Sequence, residues 1–394
     1  MVPVVRVLML TWEFPPDASG GIAAHVAGLS DALVDAGHEV VVLTIDERRR
    51  LPTIERTDAG LLVLRAWVGG LPWLPPTEPI ARTASANHAL VALTAHLRHE
   101  LGGWEPDIVH GHDWRVGWAA DTLAAVHAVP FVLTMHGTER IRHGGNLPQG
   151  APSDINSVEW WLAFRASRLI ASTRFMVEQL VTSFELPQER VVRVPNGIDP
   201  GVWHARPPDG VREPLVLSWG RVQYEKGFQV LARAMHLLRG RVPGISCTIA
   251  GRGSYLPELQ TQVDVEGVSD LVDLPGFVHD EELHLLLGRA GCVVIPSLYE
   301  PFGLVALEAL AAGAPLIVAH TGGLAEMVDG TSAALTFEPG NPDELADCIE
   351  RVLTDADLAE NLTAHAENVV TRRYAWHAIA AATVEVYETA KHPG

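Results

Sequence analysis

Short β-branched runs alternate with amphipathic segments along most of this chain. Val-Val-Arg-Val-Leu-Met-Leu-Thr (4–11) has the length and composition of a buried strand, and it leads through Gly20-Gly21 into the segment 22–37. There Ile22, Val26, Leu29 and Leu33 keep the spacing of one helix face, and Gly37 supplies a stop. Glu-Val-Val-Val-Leu-Thr (39–44) reads as the next strand. Runs at 107–111, 130–136 and 168–173 read as further strands, with helical segments between them. Strand–helix alternation of this kind predicts an α/β fold, with a parallel sheet covered on both faces.

The pattern breaks at 191–214, a stretch dense in proline and glycine that reads as a linker. It then restarts, with strands expected at 215–220, 246–251, 271–276, 292–297 and 315–320. This implies two Rossmann-like domains: 1–198, and 199–374 in series with it. The amphipathic segment 375–394 forms a last helix. Ligands of open parallel sheets sit at the carboxyl ends of the strands, so two such domains facing each other would put the site in a cleft.

A chain of 394 residues is long for one hydrophobic core, which agrees with two domains. The net charge of −19 argues against a nucleic-acid partner. Glu47-Arg48-Arg49-Arg50 is the only dense basic run and reads as a solvated loop. Cys247, Cys292 and Cys348 form no C-x-x-C pair, and a reduced, cytoplasmic setting fits them, with the first two in strand cores. No apolar stretch reaches the roughly 18 residues of a membrane span. A peripheral membrane contact stays compatible with the sequence, as do a monomer or a homodimer.

Candidate chemistry gathers at the predicted strand ends. Gly20-Gly21 lies between a strand and its helix, where backbone can approach a ligand, and Asp46 is a candidate for binding a ribose. Arg221 and Lys226 follow the first strand of the second domain, as a phosphate clamp would, and Gly251 opens another glycine-rich turn. Glu300 precedes Pro301-Phe302-Gly303 and the helical segment Leu-Val-Ala-Leu-Glu-Ala-Leu-Ala-Ala-Gly (304–313). The N–H groups of Gly303, Leu304 and Val305 could take phosphate oxygens, and Glu308 could accept from ribose hydroxyls. In the first domain His-Gly-His-Asp-Trp (110–114) and Met-His-Gly-Thr-Glu (135–139) end strands. No H-E-x-x-H or C-x-x-C accompanies them, so His136 reads as a polar ligand contact and no metal is expected. Asp355-Ala356-Asp357 reads as a capped helix start.

Taken together, these motifs resemble the retaining glycosyltransferases of family GT4, which have the GT-B fold. The most specific element is the Glu300-x7-Glu308 pair. Pro15-Pro16-Asp17-Ala18-Ser19-Gly20-Gly21, the His-Gly at 136–137, Pro-Asn-Gly-Ile-Asp (195–199), Gly-Arg-Val-Gln-Tyr-Glu-Lys-Gly (220–227) and Thr-Gly-Gly (321–323) occur in matching order.

The resemblance implies that Arg221 and Lys226 hold a donor diphosphate, with Gly21, Gly251 and the helix start at Gly303, Leu304 and Val305 around it. Glu308 would bind the ribose and Glu300 the transferred sugar, with His136 at the reaction centre. Gly20, Gly21, His112 and Trp114 would meet the acceptor, and the last helix would cross back onto the first domain. The implied partners are a nucleotide sugar and a carbohydrate, small-molecule or lipid-linked acceptor, with no cofactor and no metal at the diphosphate. Glycogen and starch synthases carry Lys-Thr-Gly-Gly where this chain has Ala18-Ser19-Gly20-Gly21, which turns the expectation toward a UDP-hexose donor. Trp67 and Trp73, in a proline-rich stretch, could line an acceptor wall. A nucleotide-sugar epimerase, a glycoside phosphorylase or a non-catalytic glycan-binding protein on the same architecture are the alternatives.

Overall fold

A computed structural model describes residues 3–16, 21–68, 79–97, 101–203, 205 and 211–392. Trp73 and residues 17–20, Gly20 among them, lie outside the described residues. The chain divides into two compact units, Met1–Gly197 with Trp376–Gly394, and Ile198–Ala375.

The first unit contains strands β1 (Arg6–Leu10), β2 (Glu39–Ile45), β3 (Ile54–Arg56), β4 (Leu62–Ala66), β5 (Ile108–His112), β6 (Phe131–Met135), β7 (Arg168–Ala171) and β8 (Val191–Arg193). They form one sheet in the order β3-β4-β2-β1-β5-β6-β7-β8, parallel except for β3, which pairs antiparallel with β4. β1 pairs with β2 on one side and β5 on the other, so the strand order reverses there and opens a switch point at the carboxyl ends. β3 and β4 lack the length or alternation that would predict them. β8 corrects the expectation of a linker from 191: Leu169↔Val191 starts its parallel register with β7, and the proline-rich stretch begins only after it.

The helix Gly21–Asp35 buries Ala23, His25, Val26, Leu29, Ser30, Ala32 and Leu33. It stops as expected: Gly37 has φ +88°, its N–H donates to the Val34 carbonyl at 2.9 Å, and His38 N–H donates to the Leu33 carbonyl at 3.0 Å. The C-terminal helix Trp376–Lys391 packs on this helix and belongs to the first unit, with Ile379, Ala380 and Tyr387 in its core. The Trp376 indole lies against two glycines. A Cβ on Gly28 or Gly197 would come within 2.3 Å of its ring atoms, so both positions exclude any larger side chain.

The second unit contains β9 (Glu213–Trp219), β10 (Ser246–Ala250), β11 (Val272–Gly276), β12 (Ala290–Ile295), β13 (Leu316–Ala319) and β14 (Ala334–Phe337). Their order is β11-β10-β9-β12-β13-β14, all parallel, with a switch point between β9 and β12. The inner strands β12 and β13 are apolar without alternation because both faces are covered. Leu215, Leu217 and Trp219 join one core layer with Val293 and Ile295, while Val216, Cys247, Cys292 and Val294 join the other. Cys247 and Cys292 are therefore buried packing residues, and burial pushes both thiols up, that of Cys292 to about 12. No helix among the described residues is long and apolar enough to cross a membrane.

Candidate active site

In the second unit the loops after β9 and β12 are joined at the switch point. Glu225 carbonyl accepts the N–H groups of Leu298 at 2.8 Å and Tyr299 at 3.3 Å. Gly227 makes the approach possible: it has φ +69°, and a Cβ there would lie 1.8 Å from the Pro296 carbonyl oxygen. This junction brings Lys226 to Glu300. Lys226 Nζ donates to Glu300 Oε2 at 2.6 Å, and the two side chains are 21% and 12% exposed. Ser297, itself buried, donates its hydroxyl to the same oxygen at 3.2 Å. Arg221, also on the β9 loop, is exposed and has no ion-pair partner among the described residues.

The helix Leu304–Ala311 starts at Gly303, φ +97°, with no side chain capping it and no acid in its first turn. Its N-terminal dipole and N–H groups are thus left for an external anion. Gly251, at the end of β10, donates its N–H to the Gly276 carbonyl at 2.7 Å. Glu308 is half-buried and accepts from Trp219 Nε1 at 3.1 Å through Oε2. Burial pushes its carboxyl up to about 7, against the opposing pull of the Trp219 hydrogen bond and with a smaller push from Asp280. One end of this region therefore offers cations and backbone donors, and the other a carboxylate acceptor. That division suits a phosphate joined to a polyhydroxylated group.

In the first unit the strand ends carry histidines. His110 is buried, with Nδ1 against the Tyr387 hydroxyl at 2.8 Å and Nε2 against Thr134 Oγ1 at 2.7 Å. His112, 1% exposed, meets His136 through Nδ1 and Nε2 at 3.1 Å. His25 completes the group, with its ring centroid 5.0 Å from that of His136 and 5.5 Å from that of His112. His25 Nδ1 and His112 Nε2 are buried without a hydrogen-bond partner. Burial holds His25 and His112 well below the ordinary imidazole range and lowers His110 to about 3 and His136 to about 4. Neighbouring histidines deepen the effect at the first three. All four rings are neutral at pH 7.

The loop after His136 is held from beneath. Thr138 caps the helix Glu139–Arg142, its side chain accepting the Ile141 N–H at 3.1 Å. Glu139 N–H donates to both carboxyl oxygens of the fully buried Glu159, at 3.1 and 3.0 Å, and burial raises Glu159 to about 8. Arg142 pairs with Glu139 and lies 3.7 Å from Asp113, the residue after His112.

Gly21 opens its helix and is exposed. Trp114, expected at the acceptor, is 3% exposed in the turn Trp114–Val116, and so packs inside the domain. Asp46 is corrected from a ribose ligand to a loop anchor: it is buried and accepts the N–H groups of Arg48 at 3.0 Å and Leu51 at 2.9 Å. Those backbone bonds, with others from Arg49 and Arg50, outweigh burial and hold its carboxyl low. The sequence reading missed His25, Trp219, Ser297 and Glu159. His25 had a signal, since it shares the buried helix face of Val26 and Leu29. Trp219 and Glu159 depend on partners 89 and 20 positions away, and Ser297, three residues before Glu300, carries no pattern of its own.

Comparison with known proteins gives a consistent picture. Residues 203–369 match the family described as glycosyl transferases group 1, and residues 19–202 match glycosyltransferase family 4. Glycogen synthase of Mycobacterium tuberculosis (strain ATCC 25618 / H37Rv) is 35% identical over 397 residues, covering 98% of this chain and 95% of the relative. Sucrose-phosphate synthase from Thermosynechococcus elongatus has a similar structure, with a TM-score of 0.79, 23% identity and 98% of each chain covered. HepE of Anabaena, solved in complex with UDP-glucose, gives a TM-score of 0.73 at 19% identity, over 98% of this chain and all of that one.

Proposed function

Because the chain belongs to glycosyltransferase family 4, with two Rossmann-like domains of the GT-B fold, we propose that it transfers a glucosyl group from a UDP-linked donor to a hydroxyl of a sugar, glycan or small-molecule acceptor, with retention at the anomeric carbon. The observation that carries this reading is the composite at the β9–β12 switch point: Arg221 exposed with no ion-pair partner among the described residues, Lys226 beside Glu300, an uncapped helix start at Gly303, and Glu308 further along the same helix. In this reading Arg221, Lys226 and the N–H groups of Gly303, Leu304 and Val305 hold the diphosphate and stabilise its charge as it leaves. Gly251 leaves room for backbone approach, and Glu308 accepts from the ribose hydroxyls. These groups do the work a metal would do at the diphosphate, so none is required there.

Glu300 contacts hydroxyls of the transferred sugar. Its carboxylate already accepts from Lys226 and Ser297, which makes it a poor nucleophile and supports a front-face route over a covalent intermediate. The bond from the anomeric carbon to the phosphate oxygen breaks as the acceptor oxygen bonds on the same face. The acceptor proton passes to the departing phosphate oxygen. His136, neutral at pH 7, hydrogen-bonds the sugar near the reaction centre, with the buried His112 holding its ring from behind, and Gly21 borders the acceptor.

The test is mass spectrometry and NMR of products from UDP-, ADP- and GDP-glucose with a panel of glucans, sugar phosphates, small alcohols and lipid-linked sugars. The relative named glycogen synthase puts α-glucans first in that panel. The expected result is a UDP-glucose-dependent gain of one hexose with an α linkage. A requirement for orthophosphate, an isomerised donor without acceptor product, or tight nucleotide binding without transfer would each replace the proposal with one of its alternatives.

A further inference from the structure

The geometry of the first unit points to a second kind of site: we infer that His25, His112 and His136 form a three-histidine pocket that binds a zinc-class divalent transition-metal ion and so blocks His136. One ring nitrogen from each lies within 4.8 Å of the other two. The three come from separate, rigid elements, namely the helix Gly21–Asp35, the end of β5 and the residue after β6. The His25 ring presents a buried nitrogen, Nδ1, that no donor or acceptor among the described residues satisfies. Such atoms carry a desolvation cost unless something occupies the pocket.

The chemistry selects the ion. All the ligands are imidazoles, which suit zinc, cobalt, nickel or copper and disfavour magnesium and calcium. His112 Nδ1 and His136 Nε2 already face each other at 3.1 Å across one shared proton. An ion bound by both sends that proton to the far nitrogen of the ring that carried it, and the net charge of the ligands does not change. Zinc–nitrogen bonds of about 2.0–2.1 Å set ligand nitrogens about 3.3 Å apart, so that pair is almost in place and His25 turns inward to close the set. Three histidines leave a fourth position for water or hydroxide. His136 is only partly buried and gives the ion its way in. His110 lies tilted against His112 with centroids 4.3 Å apart, and its own nitrogens are engaged by Tyr387 and Thr134, which keeps it out of the set and supports the His112 ring.

The test is cobalt(II) titration of the full-length chain after treatment with a chelator, followed by visible absorption. One equivalent should give the intense bands of a tetrahedral site, and zinc should displace it. X-ray absorption of the zinc-loaded wild type should count three imidazole ligands. His25→Ala and His112→Gln, each checked for an unchanged thermal melt, should lose at least about tenfold in affinity, the loss that even outer partners of a metal cause. No binding, the weak absorption of an octahedral surface ion, fewer than three imidazoles in the wild type, or undiminished affinity in folded His25→Ala protein would overturn the site. Binding does not rest on the proposed transferase reading, whereas inhibition does. A protein that binds cobalt(II) at these three residues and still transfers sugar supports the site while overturning the role given to His136.

Discussion

The titration of Glu308 gives the donor site a pH signature that can be worked out in advance. Its carboxyl lies at about 7, raised by burial in the second domain and held back by the Trp219 N–H. Only the ionised form accepts from both ribose hydroxyls, and the ionised fraction is about one tenth at pH 6 and about nine tenths at pH 8. Second-order turnover with UDP-glucose should therefore rise about tenfold across that interval and level off above it. The intact diphospho-sugar does not titrate there, and His136, at about 4, changes charge well below it. Trp219→Phe removes a hydrogen bond that favours the ionised form. A bond of about 1.4 kcal/mol corresponds to one pH unit, so the midpoint should move up by roughly that much. Glu308→Gln should lose the pH dependence and run about tenfold or more below wild type at pH 8. The assay is initial-rate kinetics at subsaturating donor, with circular dichroism of each variant at each pH. A flat wild-type profile, a midpoint unmoved in Trp219→Phe, or an intact transition in Glu308→Gln would refute the assignment of Glu308 to the ribose.

Lys226→Ala should cut donor turnover on the order of 100-fold while leaving the thermal melt within a few degrees, because it removes a diphosphate contact and frees Glu300; unaltered kinetics would exclude Lys226 from the diphosphate. Gly227→Ala should destabilise the second domain by about 2–4 kcal/mol in urea unfolding, since its Cβ would lie 1.8 Å from the Pro296 carbonyl at a φ of +69°. Glu159 binds its proton more tightly folded, at about 8, than in an unfolded chain, at about 4.5, so its contribution to stability is present at acid pH and is lost as pH rises through 8. At about 1.4 kcal/mol per unit the loss is at most about 5 kcal/mol. Melts at pH 5 and pH 8.5 should show Glu159→Gln, which keeps an acceptor for the Glu139 N–H, falling less than wild type.

Much of the architecture was legible in the chain because it is built from local rules. Strands buried on both faces must be continuously apolar, as in Ala290–Ile295, and a helix needs one apolar stripe and a stop, as in Ile22 to Gly37. The Glu300-x7-Glu308 spacing was legible too, because one loop and one helix carry both residues. Short edge elements such as Ile54–Arg56 escaped, since three residues with no buried position make a strand only where a neighbour lends them hydrogen bonds. The tertiary structure alone decided the electrostatics. Lys226 and Glu300 meet across 74 positions, and Trp219 and Glu308 across 89, because parallel register carries β9 and β12 to the same edge. It likewise made Asp46 a loop anchor and gathered His25, His112 and His136 from three separate elements to within 4.8 Å of one another. Sequence specifies which groups can titrate or bind. Burial and register, which depend on the whole sheet, decide which of them do so and at what pH.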